Sequence, residues 1–135
     1  MSLVGWHGSL LLMIVAVVGD GLCAAFALFG DVTGRPTMPR LFWWLLWSAQ
    51  IPLGVLGLLG MALLAGGARP RTPYHFMYGA LIVLTLFGLY GLRPAGWMRR
   101  TVAGPHYRES RWLMLLCLFL AGLVLRAYAT GAVGR

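Results

Sequence analysis

Two histidines stand where apolar segments open. His7 follows Trp6 just ahead of the first apolar run, and His75 follows Tyr74 at the start of the third. If the two segments cross a bundle in the same direction, both imidazoles lie at one depth and face each other. A heme iron needs that arrangement, with one neutral ring nitrogen from each side. The plainer reading is a pair of interfacial histidines with wet rings. His7 is close to the terminus, so His75 is the stronger single candidate for an iron ligand.

Three arginines share that end of the chain's architecture: Arg69, Arg71 and Arg126. Arg126 lies about 15 residues into the fourth apolar run, roughly 22 Å along a helix. The arginine fork suits carboxylates such as heme propionates. The alternative for Arg126 is snorkelling to the interface. Asp20 and Gln50 sit deeper, each ~14–15 Å from the opposite face by helical rise. An ionisable group within a span is a functional candidate by default. Asp20 and Gln50 read either as a proton or quinone site or as polar glue between helices.

The elements that position these residues follow from composition. Hydrophobic residues make up 60% of the 135-residue chain and charged residues 10%. A water-soluble domain carries about 25% charged residues. Apolar runs extend over 10–29, 41–65, 75–92 and 112–128. A helix of ~20 apolar residues spans a bilayer, and continuous runs without alternation exclude a barrel. The expected fold is all-α, a single transmembrane domain of four helices near 8–30, 41–66, 74–93 and 112–130. Short connections make an up-down-up-down bundle the default. Gly30-Asp31, Gly34-Arg35-Pro36, Gly66-Gly67, Pro70 and Pro94 punctuate the runs, and Pro52 is expected to kink the second helix.

The net charge of +8 comes from arginine alone; there is no lysine. The arginines cluster in connections, which topology explains better than nucleic-acid binding does. Arg35, Arg40, Arg93, Arg99, Arg100, Arg108 and Arg111 fall in or beside the first and third connections, against Arg69, Arg71 and Arg135 on the other side. The positive-inside rule puts the first and third connections in the cytoplasm and both termini outside. No arginine or lysine precedes Arg35, so a cleavable signal peptide with a basic start is not expected.

Other features have ordinary explanations. Cys23 and Cys117 read as small buried residues. Trp43, Trp44 and Trp47 with Trp6, Tyr74, Tyr78, Trp97 and Trp112 form an aromatic belt. Gly54, Gly57 and Gly60 recur along the second helix and Gly79, Gly88 and Gly91 along the third, where helix packing or a flat macrocycle could come close. His106 belongs to a solvated basic connection. Aligned 68 positions apart, His7 matches His75, Ile14 matches Ile82 and Val15 matches Val83, a weak sign of a duplicated helical hairpin. No nucleotide-binding loop, metalloprotease helix, serine-hydrolase elbow or paired carboxylates occur, so the chain is not expected to be an enzyme on its own.

The segment Pro73-Tyr74-His75-Phe76-Met77-Tyr78-Gly79 resembles the P-x-H-x-x-Y-G helix opening of small four-helix bacterial membrane proteins. More loosely, the plan is similar to cytochrome b561-type bundles and to one half of heme A synthase. The resemblance implies His75 as an axial ligand and one heme b as the cofactor. With only two histidines at one end, a relay of hemes across the membrane is not implied. Three expectations result. The first is a heme-binding or redox-accessory subunit of an electron-transfer complex in the bacterial inner membrane, with other membrane subunits or its own copies as partners. The second is a cofactor-free structural or assembly subunit. The third is a small quinone-interacting or transport protein built on Asp20 and Gln50.

Overall fold

A computed structural model of the chain describes residues 3–70 and 72–132, and these are all-helical. The helices are α1 (Leu3–His7), α2 (Leu10–Val32), α3 (Arg40–Ala49), α4 (Ile51–Ala65), α5 (Pro73–Leu92), α6 (Trp97–Val102) and α7 (Glu109–Ala132). Four stretches are long and apolar enough to cross a membrane: Leu3–Val32, Arg40–Ala65, Pro73–Leu92 and Glu109–Gly131, of 30, 26, 20 and 23 residues. The chain is thus a multi-pass membrane protein. Large side chains such as Leu11, Leu22, Leu58, Val83 and Phe119 stand exposed along these helices, a surface that water would penalise and lipid accepts.

Each boundary has a local cause. Ser9 interrupts α1 and caps α2, its hydroxyl accepting from the Leu12 N–H at 3.4 Å. The first span therefore starts at Leu3, earlier than the expected 8, with a break at Gly8-Ser9. Pro52 interrupts the second span at Gln50, which closes α3 and opens α4 while keeping αR dihedrals. It has no N–H to donate to the Ser48 carbonyl, and its ring crowds that turn, so the helix is disturbed just before it. A new helix accordingly begins at Ile51, and Gln50 is the joint. The third connection contains a short helix, α6, which the sequence did not announce. Gly96 makes that turn possible, because a Cβ there would strike the Gly91 carbonyl.

The core forms mainly between α2 and α7, the most closely packed pair. Ala16, Cys23 and Ala27 of α2 and Leu113, Cys117 and Leu120 of α7 are fully buried. Their spacing marks one stripe on each helix. Small side chains on α2 admit the larger leucines of α7. The second span packs on α2 and α5 packs on α7. Both cysteines are free and buried, as their apolar setting implies.

The glycine pattern has a different meaning from the packing face expected on the second helix. Gly54 and Gly57 have open space where a Cβ would point, as do Gly79 and Gly88 of α5. The close crossing is instead at Gly19, where a Cβ would lie 2.8 Å from the Ala49 Cβ. The Ala49 methyl cannot swing aside, so α2 and α3 would have to separate. Gly19→Leu should therefore cost about 1–3 kcal/mol by overpacking, seen as a lower melting temperature in detergent, whereas Gly54→Ala should melt no lower than the parent.

Trp43 also departs from the belt reading. It is buried at 6% exposure and stacks edge-on against Phe42, while Trp44 alone of that turn is widely exposed at 72%.

The arginine-rich connections meet in a polar clamp. Asp31 at the end of α2 bonds Arg108 and Arg111, each at 3.3 Å, and accepts from Ser110 Oγ at 3.4 Å. Glu109 is fully buried at the start of α7, where it accepts from Arg99 at 3.3 Å and from the Met38 backbone N–H at 3.2 Å. Beside it, burial raises the Tyr107 phenol above its ordinary range, and the Glu109 charge adds to the shift. His106 is exposed in this connection.

Candidate functional site

At the other end, α1 and α5 bring His7 and His75 together. The ring centroids are 5.8 Å apart and the planes meet at 80°. Each ring is held from behind by a main-chain carbonyl. His7 Nδ1 lies 3.0 Å from the Leu56 oxygen on α4, and His75 Nδ1 lies 3.1 Å from the Ala127 oxygen on α7. A carbonyl can only accept, so Nδ1 carries the proton in both rings. In the neutral imidazole Nε2 is then the lone-pair nitrogen, the tautomer that a metal ligand needs.

The two settings share a further detail. A helical carbonyl ordinarily accepts from the N–H four residues on, and in both places that residue is a glycine. A Cβ at Gly60 would lie 2.9 Å from His7 Cε1, and one at Gly131 would lie 3.3 Å from His75 Cε1. The missing side chain opens each helix groove and lets the imidazole reach the carbonyl edge. Sequence reasoning singled out Gly60 for its spacing alone and passed over Gly131, Leu56 and Ala127. Nothing in a main-chain carbonyl marks it in a sequence.

The remaining candidates are less closely gathered. Arg126 is exposed on α7, next in sequence to Ala127, and Arg69 is exposed in the connection between α4 and α5. Arg71 lies outside the described residues. Asp20 and Gln50 meet elsewhere, in the core: Gln50 Nε2 donates to Asp20 Oδ1 at 2.8 Å. The joint at Gln50 and the Gly19–Ala49 crossing explain how two short side chains span the gap between α2 and the second span.

The donor set limits the chemistry. Among the described residues, no three histidine, cysteine, aspartate or glutamate side chains converge to hold a metal ion. A bare zinc site needs about four protein ligands, and two imidazoles do not supply them. Two imidazoles do suffice where a macrocycle already fills the equatorial positions of its iron. Here the two rings meet edge to face, and His7 and His75 are the residues that would hold such a group. No family model, curated protein or solved structure matches the chain.

Proposed function

We propose that this chain binds one b-type heme between His7 and His75 and serves as a redox-accessory subunit of a larger electron-transfer complex. The observation that carries the reading is the close pair of imidazoles, each held through Nδ1 by a main-chain carbonyl. Bound there, the heme would supply one-electron redox chemistry. The protein's own part is to fix the tautomer and direction of both rings, and to offer Arg126 and Arg69 as cationic partners for propionates.

On this reading the bundle runs up-down-up-down in the bacterial inner membrane, with both termini outside. Two observations support it. The clamp of Asp31 with Arg108 and Arg111 draws the first and third connections together, and those connections hold most of the arginines. Single cysteines placed at Arg100 and at Ala68, in a background lacking Cys23 and Cys117, should react with an impermeant thiol reagent from opposite sides. Labelling of both from the periplasm would reject the orientation.

The heme reading is tested by a visible spectrum of the detergent-purified protein, before and after titration with hemin. A saturable Soret band at one heme per chain is the expected result. No band in either sample would end the proposal. The second reading, a cofactor-free structural subunit, draws on Gly54 and Gly57, whose open flank could receive a helix of a partner subunit. Under that reading the protein copurifies with a membrane complex and stays colourless.

A further inference from the structure

The Asp20–Gln50 contact is incomplete in a specific way. Asp20 is fully buried and Gln50 is 8% exposed. One hydrogen bond joins them, from Gln50 Nε2 to Asp20 Oδ1. Two atoms of the same pair have no partner, Asp20 Oδ2 and Gln50 Oε1. Both are oxygens, and an ionised carboxylate and an amide oxygen can only accept. Among the described residues no arginine or histidine forms an ion pair with Asp20. The titratable groups packed nearby are thiols, Cys23 on the same helix and Cys117 from α7, both fully buried. An unpaired charge buried in this way is far more costly than a satisfied neutral group.

A single added hydrogen removes both deficits. A carboxylic acid and a primary amide can close a ring of two hydrogen bonds, each group donating once and accepting once. The bond from Nε2 to Oδ1 is one half of such a ring, and the two orphaned oxygens are the atoms of the other half.

We infer that Asp20 and Gln50 form a proton-binding site within the membrane-spanning core, in which Asp20 Oδ2–H donates to Gln50 Oε1 while Gln50 Nε2–H donates to Asp20 Oδ1. The site joins α2 to the break between α3 and α4. Removing the proton leaves three acceptor oxygens and only the amide hydrogens to serve them, so the joint loses one of its two bonds. The inference is independent of the heme reading and uses none of its residues.

The chain has only three acidic side chains, Asp20, Asp31 and Glu109, which makes infrared spectroscopy decisive. The detergent-purified full chain at neutral pH should show the carbonyl stretch of a protonated carboxyl group. The band should vanish in Asp20→Asn and persist in Glu109→Gln. Thermal unfolding supplies the second readout. Asparagine can both donate to Gln50 Oε1 and accept from Nε2, so Asp20→Asn should melt with the parent, while Asp20→Ala should melt lower. Absence of the band from the parent protein, its survival in Asp20→Asn, or an Asn variant that melts as low as the Ala variant or fails to fold, would each overturn the inference.

Discussion

Loss of heme binding is the expected result of His75→Ala, and of His7→Ala plus His75→Ala together. Each imidazole would supply one of two protein bonds to the iron, so removing one should weaken hemin binding by more than about 100-fold, beyond the 10–100-fold typical of lost supporting contacts. The double variant should show no Soret band above that of hemin in empty detergent micelles. A band that survives the double substitution would remove both residues from the site. The glycine settings give a graded control. Gly60→Val should crowd His7, whose Cε1 already lies 2.9 Å from where a Cβ would stand, and should weaken hemin binding by about 10-fold. A loss confined to the histidine variants, with Gly60→Val equal to the parent, would mean that the ring is not oriented by the Leu56 carbonyl.

The largest effect on stability is expected at the opposite end, from Glu109→Ala. Glu109 is fully buried and serves two donors at once, Arg99 and the Met38 N–H. Removing one member of a buried pair costs about 3–5 kcal/mol, and a buried N–H without an acceptor about 1–3. Arg99 keeps 24% of its side chain exposed and can turn to water, which reduces the first figure. A net loss of about 2–3 kcal/mol follows, or a melting temperature lower by roughly 5–15 °C. Glu109→Gln should fall between, since its amide oxygen still accepts from Met38. Asp31→Ala is the contrast. Its arginine partners are half exposed, so its ion pairs are worth at most about 1 kcal/mol each. Equal melting of the Glu109 and Asp31 variants would show that burial does not set the strength of the clamp.

The four spans were legible because lipid imposes a length and a composition on every crossing helix, and runs such as 10–29 and 112–128 meet both. The finer breaks were less so. Pro52 announced a disturbance, yet its place could not be read: it falls two residues earlier, at Gln50, which keeps αR dihedrals while its side chain reaches Asp20. Gly19 carried the tightest helix crossing without any periodic partner to advertise it, while the regular Gly54 and Gly57 face open space. Histidine was visible by its chemistry and Glu109 was not, because a buried acid at a helix start looks like any acid in a basic connection. Its role depends on Met38, which is far away in sequence and contributes only a main-chain N–H.

The two histidine settings carry one more consequence. His7 is held by the second helix of its own hairpin, and His75 by the second helix of the other. Each hairpin thus orients its own imidazole without help from its neighbour. The two hairpins are nevertheless packed differently: α2 packs closely on α7, while α5 has no comparable packing on the second span among the described residues.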